Sequence, residues 1–140
     1  YEADDILMNF VDNHDENSWN GTIKGRLGKG EEAMTALSYV MPGMPLIYSG
    51  NEYGLNHSLK FFEKDSIPKT KGKDWELRAK LGKLKAENPA LNGGKNKANY
   101  SRIKTDDDTN VLAFTREKNG KKLVYIANFS SKPINSKEIG

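Results

Sequence analysis

Cysteine is absent from this chain of 140 residues, and only two histidines and five prolines are present. Without cysteine, the chain can form neither a disulfide framework nor a metal site with thiolate ligands. Long apolar stretches are missing as well, since no run approaches the roughly 18 residues of a membrane-spanning helix. The sequence therefore excludes a disulfide scaffold and predicts no membrane span.

An excess of one charge sign is also lacking, because 22 basic residues face 19 acidic ones and the net charge is only +3. Hydrophobic residues make up 36% of the chain and charged residues 29%, a balance typical of globular rather than disordered proteins. The lysines of the second half alternate with acids or lie on a predicted helix surface. This pattern favours a solvated surface over a phosphate-binding one, so we expect no nucleic-acid partner.

The most informative segment is the apolar run over residues 6–11, which leads directly into Asp12-Asn13-His14-Asp15. It predicts a buried strand that ends in a His-Asp pair. A second buried strand is predicted over residues 44–49, and it opens into a loop that contains glycine. Catalytic groups collect at the carboxyl ends of parallel strands, so the His-Asp pair is either functional or a satisfied structural pair.

A helix is predicted between the two strands. It begins at Gly30-Glu31-Glu32, where acidic residues complement the helix dipole, and ends at Pro42-Gly43. Its apolar positions recur at helical spacing, so that one face can lie against a sheet: Ala33, Leu37, Val40 and Met41. Strand, helix and strand joined by short connections are typical of a parallel α/β unit.

A second helix is predicted after an irregular stretch over residues 55–73, in which Phe61-Phe62 is expected to be an apolar anchor. Asp74 is the expected N-cap of this helix, and Asn88-Pro89 is expected to end it. Leucines are predicted to line its inner face: Leu77, Leu81 and Leu84.

The pattern changes beyond Gly93-Gly94, where short strands of period two are predicted over residues 98–103, 111–117 and 123–129. Asn119-Gly120 separates the last two strands and is a strong signal for a hairpin. These features predict an antiparallel β-module, with a sandwich as the expected form and a boundary near residues 93–97. The division, together with a start at Tyr1, indicates a fragment that holds the end of one domain and the start of another.

Two motifs resemble those of the α-amylase superfamily, glycoside hydrolase family 13. The segment Phe10-Val11-Asp12-Asn13-His14-Asp15 is similar to the family's strand-seven motif, and the segment 43–52 (GMPLIYSGNE) is similar to its strand-eight motif. The run 14–22 (HDENSWNGT) resembles starch-degrading α-amylases of Bacteroidetes. The resemblance implies the last two βα units of a (β/α)8 barrel over residues 1–94. The start of an antiparallel β-sandwich domain over residues 95–140 would follow.

The resemblance further implies that the parent protein is a retaining α-glucan hydrolase, which cleaves the α-1,4-glucosidic bonds of starch, maltodextrin or glycogen. Asp15 would stabilise the transition state, and His14 would donate a hydrogen bond to a hydroxyl of the same sugar. Asn13 would reach the sugar or, equally, form the turn. Trp19 would stack on a glucose ring or pack beneath its own loop.

The family's nucleophile and its acid/base lie on earlier strands, so this chain is not expected to cleave glucan alone. No cofactor or metal is assigned to it, and any calcium of the parent would lie in the rest of that protein. The same kinship implies export to the periplasm or the cell surface. The alternatives are a non-catalytic amylase-like scaffold, which the intact His14-Asp15 pair disfavours, and a sugar-binding protein.

Four other candidates have a structural interpretation. Glu52 matches the strand-eight motif but is expected to be a hydrogen-bonding brace rather than a catalyst, and Tyr48 is expected in the core. His57 stands alone in a loop and is expected to be exposed. The acidic run 106–108 is expected to be a solvated loop rather than a calcium site.

Overall fold

A computed structural model describes residues 5–129, in which an α/β part precedes a small antiparallel sheet. The strands and helices are, in chain order, β1 (Met8–Asn9), α1 (His14–Asn20), α2 (Ile23–Leu27), α3 (Glu31–Val40), β2 (Met44–Pro45), α4 (Lys73–Glu87), β3 (Asn99–Arg102), β4 (Val111–Lys118) and β5 (Lys121–Asn128). Short 3-10 turns lie at Gly28–Gly30, Asn51–Tyr53, Pro89–Leu91 and Gly94–Asn96. Within the described range, no helix is both long enough and apolar enough to cross a membrane.

Strands β1 and β2 pair in parallel, as the strand-helix-strand pattern predicts. The Met44 amide donates to the Leu7 carbonyl at 2.8 Å, and the Leu46 amide donates to the Asn9 carbonyl at 2.8 Å. Gly43, which precedes β2, has a φ of 131°, and a Cβ there would lie 2.4 Å from the Leu7 oxygen. The close approach of the two strands therefore requires glycine at this position.

The prediction that both strands are buried is wrong for the described residues. The strands are shorter than predicted, and most of the apolar side chains along them are exposed: Ile6, Leu7, Met8, Phe10, Met44 and Ile47. The physical reason is that, within residues 5–129, each strand has one partner strand. One edge of each strand and much of the surrounding apolar surface are therefore uncovered.

Helix α3 forms where it is predicted, and its apolar face is the expected one. Val40 is buried, and Ala33, Leu37 and Met41 pack around the same cluster. The buried members of that cluster come from both parts of the chain: Val40, Leu91, Phe114, Tyr125 and Ala127. Helix α3 thus packs against the antiparallel sheet as well as contacting β2.

For α4, the predicted N-cap is wrong, and the predicted inner face of leucines fails at Leu84. The helix begins at Lys73 with Gly72 as its N-cap, and Asp74 lies buried in the first turn. Its buried side chains are Asp74 and Arg78, which are 3.7 Å apart, whereas Leu84 is 38% exposed. Residues four apart share one helix face, so the most deeply buried side chains of α4 form an ion pair, whereas Leu77 and Leu81 are half-buried. The helix ends at Glu87 with Asn88 as its C-cap, in agreement with the predicted stop at Asn88-Pro89.

The antiparallel module is confirmed as a sheet of order β3-β4-β5. Asn119 and Gly120 form the predicted hairpin turn, with φ values of 52° and 76°. This pair of positive φ angles matches the twist of the flanking strands. One antiparallel sheet lies within residues 5–129, so a sandwich and a domain boundary near residues 93–97 stay predictions. The end of the predicted module, after Phe129, lies outside the described residues.

A buried arginine joins the sheet to the α/β part. Arg116 of β4 is fully buried, and its guanidinium donates to the carbonyls of Val40 at 2.9 Å, Asn92 at 2.6 Å and Ala98 at 3.5 Å. Lys85 of α4 donates to the Tyr39 carbonyl at 3.3 Å. Two cations therefore meet the last carbonyls of α3, where the helix dipole is negative.

We expect Arg116→Met to lower the free energy of unfolding by about 2–4 kcal/mol, because it leaves buried carbonyl oxygens without their donor. Urea denaturation followed by circular dichroism measures the effect. Arg102→Met on β3 is the matched control, since Arg102 is exposed and donates only a 3.4 Å bond to the Asp108 carbonyl. Equal stability of the two variants would contradict the assigned role of Arg116.

We expect the stability of the chain to fall between pH 10 and pH 12 in a way that depends on Tyr125. Burial raises the pKa of Tyr125 from 10.0 to about 12, and its hydroxyl donates to the Ala33 carbonyl at 2.6 Å. In this window the unfolded phenol loses its proton while the folded one keeps it, so the folded state is progressively disfavoured.

Tyr125→Phe should remove this part of the pH dependence. Unfolding free energies of both proteins, measured at pH 9 and pH 11.5, isolate the effect because lysine titration is common to both. Parallel curves for the two proteins would overturn the expectation.

Candidate functional site

Asn13 begins helix α1 and acts as its N-cap. Its side-chain oxygen accepts a hydrogen bond from the Glu16 amide at 2.8 Å. This is the turn-forming role, one of the two alternatives that the sequence left open, whereas a contact of Asn13 with sugar stays a prediction. Since β1 ends at Asn9, His14 and Asp15 open a helix and do not belong to the strand itself.

His14 and Asp15 lie together on the surface. Their side chains are 67% and 62% exposed, and His14 Nε2 lies 3.4 Å from Asp15 Oδ2. The pair is therefore accessible to a ligand, and the carboxylate has an adjacent hydrogen-bonding side chain. The roles assigned to both residues by resemblance stay predictions.

Asp12 lies buried in the turn that precedes this pair, with an exposed fraction of 1%. Its carboxylate accepts from the Asn13 amide at 3.1 Å, from Asn17 at 3.5 Å and from the Arg26 guanidinium at 3.2 Å. Burial raises the pKa of Asp12, and hydrogen bonding to Asn51 and the charge of Arg26 oppose that rise. The turn that presents His14 and Asp15 is thus held by a buried polar network.

The same network reaches the long loop after β2. The Leu59 amide donates to the Asn17 side-chain oxygen at 2.7 Å, and the Ser18 hydroxyl donates to the Leu59 carbonyl at 3.0 Å. Both backbone groups of Leu59 are therefore held by consecutive residues of α1. The Lys60 amide donates to Asp65 at 3.0 Å and closes the next turn of the loop.

The loop places two phenylalanines beside the His-Asp pair. Phe61 lies 5.3 Å from Trp19 and 6.4 Å from His14, measured between ring centroids. Phe62 meets Phe61 edge-on at 4.8 Å. Trp19 is 62% exposed, so it does not pack beneath its loop, and a stacking role toward sugar stays a prediction. The prediction that Phe61-Phe62 is an apolar anchor is wrong, because Phe61 is 44% exposed and Phe62 is 85% exposed.

The structure thus brings His14, Asp15 and Trp19 together, with Phe61 between His14 and Trp19. The sequence alone gave no functional role to Phe61, Asn17 or the supporting Asp12–Arg26 pair. The Phe-Phe dipeptide in a polar loop was the one signal for the aromatic residues, whereas the polar contacts carry no local signature because their partners are up to 42 positions apart.

The other candidates play local roles. Glu52 accepts a hydrogen bond from the Gly50 amide at 3.1 Å, which is the geometry of a brace, and Tyr48 is half-buried rather than fully enclosed.

His57 is exposed and lies 3.7 Å from Asp65. Asp108 accepts from Thr105, which lowers the pKa of that carboxyl and closes its loop. Among residues 5–129, no three metal-ligating side chains form a group.

This architecture is similar to part of two solved structures. A noncanonic maltogenic α-amylase from Thermotoga neapolitana superposes with a TM-score of 0.74 at 21% identity, over 88% of this chain. An α-amylase from Lactobacillus plantarum superposes with a TM-score of 0.64 at 19% identity, over 89% of this chain. The chain has the fold of part of an α-amylase.

The amylase-like chain spans 28% of the length of each of these two structures. No protein-family model matches the sequence, and no curated protein is significantly similar to it. The TM-scores establish the shared fold, and at identities near 20% the likeness shows the fold alone.

We expect Asn13→Ala to cost about 1 kcal/mol of stability, because the Glu16 amide loses its capping acceptor. Hydrogen exchange of that amide, measured by NMR, should accelerate. Asn13→Ser should restore most of the loss, since serine also caps helices. Asn20→Ala at the other end of α1 is the matched control, since Asn20 makes an exposed bond to Glu16. An unchanged exchange rate in Asn13→Ala would show that the cap does not hold α1.

Proposed function

We propose that this chain is part of a retaining α-glucan hydrolase that cleaves α-1,4-glucosidic bonds, as in starch, maltodextrin or glycogen. The proposal rests above all on the exposed His14–Asp15 pair, which follows one strand of a parallel α/β unit with an α-amylase fold. The α/β part would be the last two βα units of a barrel, and the sheet would begin a β-sandwich domain. The uncovered apolar side chains around β1 and β2 are compatible with further barrel strands.

Asp15 would act as a fixed anion at the cleavage point. A glycosidic transition state resembles an oxocarbenium ion, and a carboxylate held near it stabilises the developing positive charge. Asp15 is accessible, while its backbone is held by the capped turn and by the buried Asp12 network. His14, 3.4 Å away, would donate a hydrogen bond to a hydroxyl of the same sugar.

Retaining hydrolysis also needs a nucleophilic carboxylate and a carboxylic acid roughly 5 Å apart. In the proposed assembly both would come from earlier strands of the barrel. This chain would contribute the transition-state carboxylate and sugar contacts but would not cleave glucan alone. Its substrate partner would be an α-glucan oligosaccharide or polysaccharide, and export of the parent to the periplasm or cell surface is part of the same hypothesis.

A second candidate function is sugar binding without hydrolysis. The exposed ring of Trp19 beside Phe61 favours it, because such a surface can hold a sugar whether or not catalytic carboxylates are present. The two functions differ in whether the reading frame that encodes this chain also encodes the nucleophile and the acid/base that hydrolysis requires.

The test begins with the coding sequence on both sides of this chain. The product of the complete reading frame is assayed on soluble starch and maltoheptaose, and the anomer released first is identified by NMR. Asp15→Asn should lower kcat by roughly 100- to 1000-fold with little change in KM, because the charge acts on the transition state.

Asp106→Asn is the matched control, since it makes the same change at an exposed aspartate on the β3–β4 connection. Loss of kcat in Asp15→Asn alone, with release of the α-anomer, would support the proposal. More than a tenth of the activity remaining in Asp15→Asn would refute the role of Asp15. Glucan binding without any hydrolysis by the whole product would favour the sugar-binding alternative.

A further inference from the structure

We infer that Trp19, Phe61 and Phe62 form an aromatic platform that binds the sugar rings of an α-glucan next to the His14–Asp15 pair. The inference takes its substrate class from the proposed function and adds a binding site of its own. The three rings contact in series, and all are substantially exposed. They border an open pocket of about 550 Å³ that Ser58, Leu59 and Lys60 also line.

Hydrogen bonds to the backbone of the loop keep these rings exposed. Both backbone groups of Leu59 are held by Asn17 and Ser18, two positions before Phe61. The Lys60 amide is held by Asp65, so the two phenylalanines project from a closed turn. A preorganised surface binds with little ordering cost, and large exposed apolar groups rimmed by polar ones mark interaction sites.

The charges around the aromatic platform favour a neutral ligand. Lys60 Nζ lies 3.4 Å from Glu63 Oε2, so the two charges beside the phenylalanines offset each other. Lys60 therefore offers a phosphate or an acidic peptide no unpaired positive charge. A sugar is neutral, and it offers apolar C–H faces to the rings and hydroxyls to the polar rim.

The angles between the rings favour a curved glucan. The Trp19 and Phe61 rings are inclined by 44°, and the Phe61 and Phe62 rings by 76°. A flat, extended β-1,4-glucan would need nearly coplanar rings to stack on several at once. An α-1,4-glucan turns from one sugar to the next and can therefore follow inclined faces.

The surface is also continuous with the His-Asp pair, because the rings of His14 and Phe61 lie 6.4 Å apart and are inclined by only 28°. A glucan chain held on the aromatic platform would therefore pass beside Asp15. The aromatic platform would hold sugars next to the one at the His-Asp pair and favour chains of several sugars over short ones.

The experiment titrates the 140-residue chain with maltoheptaose and, separately, with cellohexaose. Tryptophan fluorescence reports on Trp19, and Trp75 supplies a background because it stacks on Tyr53 elsewhere. Phe62→Ala should weaken maltoheptaose binding roughly five- to tenfold, the size expected for losing one stacked ring. Phe62 is 85% exposed, so this change leaves the fold intact.

Ile126→Ala is the matched control, because it removes another exposed apolar side chain, on the antiparallel sheet. It should leave binding unchanged, and cellohexaose should bind at least roughly tenfold more weakly. Equal binding of the two sugars, or unchanged binding in Phe62→Ala, would overturn the inference. Self-association that Phe62→Ala abolishes, without any response to sugar, would instead make this surface an interface between copies.

The two hypotheses fail separately. If maltoheptaose does not bind the chain but Asp15→Asn abolishes hydrolysis by the whole reading-frame product, the proposed function stands and the aromatic platform is refuted. If binding depends on Phe62 while Asp15→Asn leaves hydrolysis intact, the aromatic platform stands and the catalytic role of Asp15 is refuted.

Discussion

The arrangement of this molecule depends on one buried cation, the guanidinium of Arg116. It binds carbonyl oxygens at the end of α3, in the segment after α4 and just before β3, and so joins three parts of the chain at one point. Burial lowers the pKa of Arg116, and the aligned carbonyl dipoles supply the electrostatic compensation that a buried cation needs. The end of α3 in turn leads through Gly43 into β2, which pairs with β1 and thereby sets the place where α1 begins.

Two aspartates three positions apart show how environment divides roles within the candidate site. Asp12 is 1% exposed and holds the turn through Asn17 and Arg26, whereas the Asp15 side chain is 62% exposed. The buried carboxylate has its hydrogen bonds satisfied by the protein, so it is suited to support. The exposed carboxylate keeps lone pairs for a ligand. Electrostatic stabilisation of a transition state requires an accessible charge that is held in place by a buried, hydrogen-bonded support.

The polar tether between α1 and the long loop connects the catalytic hypothesis to the binding hypothesis. Asn17 belongs to the network of Asp12 and also holds Leu59, two residues before Phe61. The same buried contacts that position the His-Asp pair therefore also position the aromatic rings. Neither feature is arranged by its own segment alone, because the contact joins residues 42 positions apart.

The sequence by itself determined the elements whose causes are local. Period-two strands with Asn119-Gly120 between them specify the hairpin, and Pro42-Gly43 together with apolar residues at helical spacing specify α3. The segment around His14 and Asp15 likewise predicted where the candidate site lies, because the residues that define it are adjacent in the sequence. Only the tertiary structure decided which side chains are buried. Within residues 5–129, Asp74 and Arg78 rather than leucines are buried on α4, whereas Phe61, Phe62 and most apolar side chains along β1 and β2 are exposed. Burial and pairing depend on partners distant in the chain, and no local pattern of residues contains that information.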